Sequence, residues 1–243
     1  IGYVTRINYN FDNKYYFEFS GRRDASWKFS PDRRVGYFPS ASVGWRITQE
    51  NFMKKLLGEN SILTDFKFRG SYGVLGDDNI NIDPFAYLPG YTYNVGTAIL
   101  DGQTIVTSRD KGPIINNLSW FKSKIADIGA DFSLFGGKLS GSADYFYRKR
   151  TGLRGTKNDI LVPVELGYNL SDENINSDAQ YGGEFMLSYR NKIGELNYNV
   201  SGNAALSRSK FLDSYKPRFN NSIDQYRNSR ENRYNNIFWG YEV

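Results

Sequence analysis

Along most of the chain, apolar and polar residues alternate with a period of two, the repeat expected when successive side chains of an extended strand point to opposite faces. The first run sets Ile1, Tyr3, Ile7, Tyr9 and Phe11, broken by Thr5, against Gly2, Arg6, Asn8 and Asn10, with Val4 as the exception. The second sets Tyr15, Phe17 and Phe19 against Tyr16, Glu18 and Ser20. In the third, Tyr37, Ala41, Val43, Trp45 and Ile47 oppose Gly36, Ser40, Ser42, Gly44 and Arg46; in the fourth, Phe66, Phe68, Tyr72 and Val74 oppose Lys67, Arg69, Ser71 and Gly73. The second half repeats the theme. Ile128, Ala130, Phe132 and Leu134 face away from Gly129, Asp131 and Ser133, and Leu139, Ala143, Tyr145 and Tyr147 from Ser140, Ser142 and Asp144. Tyr181, Phe185, Leu187 and Tyr189 are set against Gly182, Glu184, Ser188 and Arg190. Last, Leu196, Tyr198, Val200, Ala204 and Leu206 oppose Asn197, Asn199, Ser201, Asn203 and Ser207, which brings the reading to eight strands.

A soluble antiparallel sandwich alternates in the same way, so the period alone does not choose between it and a membrane barrel. Strand length, face chemistry and connections favour the barrel. The runs reach about 10 residues, enough to cross a bilayer obliquely, where a soluble strand averages about 5 or 6. The polar face carries short Ser, Asn, Gly and Asp side chains suited to a hydrated lumen, and aromatic residues (Tyr9, Phe11, Tyr145, Tyr147, Tyr189) crowd strand ends as an interfacial girdle would. Asp12-Asn13, Gly136-Gly137 and Gly194-Glu195 are tight hairpin signals, and they alternate with long connections at 26–34, 77–119 and about 152–176. The third connection, 48–62, holds Asn51-Phe52-Met53-Lys54-Lys55-Leu56-Leu57-Gly58, a brief helix closed by glycine. The expected fold is therefore all-β: an antiparallel up-and-down transmembrane β-barrel segment of about eight strands with long external loops and one short helix. Residues 1–243 show no domain boundary and no solenoid repeat.

Composition narrows the chemistry. Aromatic residues make 16% of the chain, which argues against disorder. Histidine and cysteine are absent, so Ser-His-Asp and Cys-His catalysis, thiolate zinc sites and disulfides are excluded. The net charge of +5 is scattered, giving little footprint for nucleic acid. No run approaches the ~18 apolar residues of a spanning helix, and the amino terminus lacks the pattern of a signal peptide. Alternation begins with the first residues, and 235–243 end without turn or cap, as expected of a piece of a longer protein.

Particular residues carry a resemblance. Gly21-Arg22-Arg23-Asp24-Ala25-Ser26-Trp27-Lys28-Phe29, followed by Val35-Gly36-Tyr37-Phe38-Pro39-Ser40-Ala41-Ser42-Val43-Gly44-Trp45-Arg46-Ile47, resembles the barrel of SusC/RagA-type TonB-linked outer-membrane transporters. The likeness continues through Asn51-Phe52-Met53-Lys54, Lys67-Phe68-Arg69-Gly70-Ser71-Tyr72-Gly73-Val74-Leu75-Gly76-Asp77-Asp78-Asn79-Ile80, Gly137-Lys138-Leu139-Ser140-Gly141-Ser142-Ala143-Asp144-Tyr145-Phe146-Tyr147-Arg148-Lys149 and Tyr189-Arg190-Asn191-Lys192-Ile193-Gly194. It departs at Ala25, where glycine is more usual, and at Trp120-Phe121, where Trp-Glu is. The resemblance implies a partial TonB-dependent receptor barrel over 1–243, with the plug domain and the carboxyl-terminal strands absent. It also implies an outer-membrane location in a Gram-negative bacterium and uptake of an oligosaccharide or peptide nutrient. The implied partners are a SusD-like surface lipoprotein as lid, TonB acting through the absent plug region, and outer-membrane lipid. A passive channel or surface-binding barrel without energy coupling is the alternative; no enzymatic role, cofactor or nucleic-acid partner is expected.

Candidate chemistry outside the strands is sparse. Tyr87, Tyr91 and Tyr93, beside Pro89-Gly90, are the candidate substrate-binding residues, since an aromatic face offers a platform and the phenol a hydrogen bond to a sugar; packing against the lid or other loops is the plainer role. Oxygen side chains at Asp77, Asn79, Asn81 and Asp83 mimic a calcium loop, but Ile82 and Leu88 stand where an EF-hand needs Gly and Glu, so a polar turn is preferred and no metal is assigned. Arg22, Arg23 and Asp24 suggest a charge network that fixes a loop. Glu165, Asp172 and Glu173 are too loosely placed to act as a glycosidase pair. Arg208, Lys210, Lys216, Arg218, Arg227, Arg230 and Arg233, interleaved with Tyr215, Phe219, Tyr226 and Tyr234, read as a solvated basic loop rather than a single-strand nucleic-acid site.

Overall fold

Turn chemistry sets where the chain reverses. Asp12 and Asn13 both hold left-handed φ, 51° and 52°, and the Lys14 amide donates to the Phe11 carbonyl at 3.0 Å, so Tyr15 returns opposite Phe11. Asp and Asn tolerate that region better than other side chains, which is why the pair terminates a strand. The computed structural model describes residues 2–58, 61–79, 85–157, 163, 165, 167, 172–215 and 218–237. Its strands are β1 (Gly2–Phe11), β2 (Tyr15–Ala25), β3 (Val35–Arg46), β4 (Leu63–Asp77), β5 (Tyr91–Leu100), β6 (Gln103–Asp110), β7 (Phe121–Leu134), β8 (Leu139–Gly155), β9 (Glu173–Ile193) and β10 (Leu196–Asp213); its helices are α1 (Asn51–Leu57) and α2 (Ser222–Asn228).

Eight of the strands form one antiparallel sheet in the order β1-β2-β3-β4-β7-β8-β9-β10, the meander that alternation predicts. The tight connections and the one carrying α1 lie at one end, and the long ones at the other. α1 stops where expected: Gly58 takes φ 65° and its amide donates to the Lys54 carbonyl at 3.3 Å. The Glu50 carboxylate, accepting from Tyr15 Oη at 2.5 Å and Trp45 Nε1 at 3.2 Å, ties this connection to the sheet. Those two hydrogen bonds, Tyr15's first, hold its carboxyl below the ordinary value.

The structure adds to two expectations. The 77–119 connection is long as expected, and within it β5 and β6 pair as a separate hairpin. One short helix is also too few: Asn221 caps α2 by accepting from the Asp224 amide at 2.8 Å, and Asp224 accepts from the Asn220 amide at 2.9 Å. The departure at Trp120-Phe121 leaves the fifth strand of the sheet intact, with β7 starting at Phe121.

Register places the apolar residues of neighbouring strands side by side. Ile7 lies opposite Phe19 and then Ala41, Phe68 opposite Ala130, and Phe185 opposite Ala204. Among the described residues nothing covers the middle of this face: Ile7, Val43, Ile128 and Val200 are 55–66% exposed, and a bare apolar surface of this extent is foreign to a water-soluble monomer. The buried apolar side chains among the described residues are Phe29, Phe38, Leu118 and Ala179, so the cluster of Phe29 and Leu118 belongs to the long connections and not to the sheet.

The opposite face is polar and cross-linked by charge. Arg69 on β4 lies in register with Gly129 on β7 and Asp144 on β8, and the missing side chain at Gly129 gives Asp144 the room to cross β7. Arg69 Nη2 donates to Asp144 Oδ1 at 2.8 Å, while Nε sits 2.9 Å from Asp131 Oδ2 as an ion pair without hydrogen-bond alignment. Replacing Arg69 with Met strands both carboxylates beside Asp127. Because Arg69 is 34% exposed and partly screened, the expected cost is about 1–2 kcal/mol, read as a lower urea midpoint of unfolding; an unchanged midpoint would show the bridge to be idle.

Candidate functional site

The long connections meet at one end of the sheet and build a small core there. Phe29 from 26–34 packs on Leu118 and on Trp120, with ring centroids of Phe29 and Trp120 5.6 Å apart, and Phe38 of β3 meets Trp120 edge-on at 5.2 Å. Backbone groups in these irregular segments have no sheet partner, so side chains and carbonyls of other loops satisfy them. Trp120 Nε1 donates to the Arg34 carbonyl at 3.0 Å, Ser30 Oγ to the Asn116 carbonyl at 3.1 Å and Arg33 Nη1 to the Asn117 carbonyl at 3.0 Å. Asn174 at the start of β9 is a double clamp, accepting from the Ser119 amide at 2.8 Å and donating back to the Ser119 carbonyl at 3.1 Å. Three connections are thereby fastened into one rim.

The β5–β6 hairpin springs from this rim. Trp27 and Phe85 approach to 5.5 Å, Phe85 and Tyr87 to 6.2 Å, and the Ile115 amide donates to the Ala86 carbonyl at 3.0 Å. The hairpin closes at Asp101 and Gly102, with φ 51° and 73°, and bulges at Asn94, φ 62°. By register Tyr91, Tyr93, Ile99 and Val106 share one face of the hairpin. Tyr91 is 73% and Tyr93 75% exposed, so these two of the three candidate tyrosines form an open pair, whereas Tyr87 is half-buried at the hairpin's base.

The other candidates are engaged elsewhere. Asp78 accepts from Ser26 Oγ at 2.7 Å and its carbonyl from Lys28 Nζ at 3.1 Å, while Asp77 accepts from the Asn79 amide at 2.7 Å; positions 80–83 of the calcium-like run lie outside the described residues. No group of three metal-ligating carboxylates occurs among the described residues. Arg22 and Asp24 do pair, at 2.5 Å, but Arg23 points to the other face, over the rings of Tyr3 and Tyr37 at 5.9 and 6.0 Å. Asp172 accepts from Thr156 Oγ1 at 2.6 Å and Arg154 Nε at 2.9 Å; the Thr156 hydroxyl and then Arg154 hold its carboxyl below the ordinary value, against desolvation. Glu173 pairs with Lys157 at 2.8 Å, so neither carboxylate is poised for acid or base work. In the basic carboxyl-terminal segment Arg230 stacks on Phe211 at 5.6 Å and Arg233 on Tyr226 at 5.4 Å, which takes up rings that a nucleic-acid base would need. Lys216 lies outside the described residues. The rim residues Phe29, Leu118, Trp120 and Asn174 escaped sequence reasoning; a lone Trp in a polar connection was the available signal, and Asn174 offered none.

No family model matches the chain. It is 35% identical over 210 residues to the TonB-dependent receptor SusC of Bacteroides thetaiotaomicron, covering 84% of this chain and 20% of that protein. With the TonB-dependent receptor P3 of Formosa agariphila it shares 29% identity over 255 residues, covering 98% of this chain and 24% of that protein. The chain thus spans between a fifth and a quarter of the length of these relatives. Among solved structures, the RagAB peptide importer in its open-open state superposes with a TM-score of 0.73 at 23% identity, over 90% of this chain and 22% of that one. The closed-closed state gives a TM-score of 0.71.

Proposed function

Since the chain belongs to the SusC/RagA type of TonB-dependent receptors, as barrel wall, we propose that it supplies part of the wall and external rim of an importer in the outer membrane of a Gram-negative bacterium. The observation that carries this reading is the two-sided sheet. An uncovered apolar face meets lipid, a charged face lines the passage, and the long connections gather at one end to receive cargo. The relatives are receptors and importers, and the side chains here bind and position without making or breaking bonds.

The cargo in this reading is an oligosaccharide or peptide, met first at the rim by Tyr91 and Tyr93. Two residues apart on one strand, their side chains emerge about 7 Å from each other, a spacing that lets both rings contact one extended ligand. A SusD-like surface lipoprotein closes over the rim, and TonB pulling on a plug within the barrel opens the passage. In the full-length receptor, Tyr91→Ala combined with Tyr93→Ala is expected to weaken capture of a cognate oligosaccharide about tenfold or more, each ring contributing about 0.5–1.5 kcal/mol beyond its area. Titration against oligosaccharide and peptide pools separates the two cargoes. Uptake should also stop in a strain lacking TonB; uptake that persists there would replace the coupled importer with a passive channel.

A further inference from the structure

The sheet's apolar face carries a set of cations that the importer reading leaves unused. Lys124 on β7 stands directly opposite Lys149 on β8, and the same register row runs on through Ala179 to Lys210 on β10. Lys122 shares this face one step further toward the rim, opposite Thr151. The next row toward the tight turns holds Tyr72, Ala126, Tyr147, Tyr181 and Arg208, so the lysines lie just beyond an aromatic line at the rim end of the wall.

Their pairing sets them apart from Arg69 and Arg150 on the polar face. Arg69 and Arg150 each engage carboxylates there, Arg150 Nε donating to Asp178 at 2.8 Å. Lys122, Lys124 and Lys149 engage none among the described residues, and the nearest carboxylate at a comparable register position, Asp213, is bonded to Ser177 Oγ. Like charges directly opposite on adjacent strands, with β-carbons about 4.5–5.5 Å apart, repel each other. An anion between them turns that repulsion into attraction.

From this we infer that Lys122, Lys124 and Lys149 bind the phosphate of a phosphorylated lipid in the external leaflet, on the outside of the wall. The inference rests on the reading that the apolar face meets lipid. At the depth just beyond an aromatic girdle the available anions are headgroups, and the flexible lysine stems let three ammonium groups converge on one phosphate. Lys210, whose Nζ lies 6.0 Å from the Tyr234 ring centroid, closes the row toward β10.

The test uses the full-length receptor in phosphatidylcholine nanodiscs with and without diphosphoryl lipid A, counting retained lipid by native mass spectrometry. A cation at an anionic surface is worth about fivefold in binding, so K122Q/K124Q/K149Q is expected to lose lipid A affinity about a hundredfold. K67Q, on the polar face, should change nothing. Equal retention by wild type and triple variant overturns the proposal, and so does full displacement by inorganic phosphate, which would mark a soluble-anion site. Failure of the wild type to enter phosphatidylcholine discs would overturn the membrane reading itself, and this proposal with it.

Discussion

Ile128→Arg is expected to destabilise the folded barrel by about 2–4 kcal/mol, the cost of a cation on the lipid face near mid-bilayer. Ile128 is 65% exposed on the apolar face, between Tyr145 and Gly70 in register, and sits about midway along β7 between Lys124 and the turn after Leu134. Removal of packing cannot account for such a cost, since little packs on it; the penalty comes from placing charge in hydrocarbon. Ser71→Arg is the control: Ser71 faces the passage opposite Asp127, and a new guanidinium there gains a carboxylate and water. Urea titrations of the full-length receptor in lipid vesicles measure both, and equal costs for the two variants would reverse the assignment of faces.

Phe29→Ala should act on the rim and leave the wall alone. Phe29 is 1% exposed against Leu118 and Trp120, and truncating a buried Phe costs about 3–5 kcal/mol. The eight-stranded register does not pass through this cluster, so the loss is expected as local opening. Hydrogen exchange should accelerate in 26–34 and 115–120, protease should nick there, and cargo capture should fall, with the barrel's unfolding midpoint unmoved. A midpoint that drops with the rim would mean that wall and rim unfold together.

The difference between those two variants mirrors what could be read from the residues alone. Every strand of the wall is visible, because an apolar face and a polar face impose a contrast at each step, as Tyr15, Phe17 and Phe19 against Tyr16, Glu18 and Ser20 show. Contrast fades where both faces are wet. The outer reaches of β8 and β9, around Arg150, Arg154, Asn174 and Asp178, pair by hydrogen bonds and ion pairs that leave no alternating trace. The β5–β6 hairpin is hidden for a related reason: Ile99-Leu100 and Ile105-Val106 put apolar residues on successive positions, so neither strand alternates cleanly, and the irregularity between Tyr93 and Gly96 interrupts the pairing. Its Asp101-Gly102 turn was a legible signal left unused. Of the candidate site, Tyr91 and Tyr93 emerge as an open pair, while the Phe29, Leu118 and Trp120 core depends on contacts about 90 residues apart, which no local pattern encodes.

The length of β8 and β9 has a mechanical corollary. From Lys149 to Gly155 and from Ala179 back to Glu173, both strands continue six residues past the lysine row. At about 3.4 Å per residue and a tilt near 40°, that is a rise of about 15 Å, so with the lysine row at the headgroups, as proposed, the mouth stands that far above them as a collar. A protein seated on the collar and anchored by its own acyl chain must bridge that height with slack polypeptide. About five fully extended residues is the minimum leash; a shorter one would hold the lid tilted, open on the side away from its anchor.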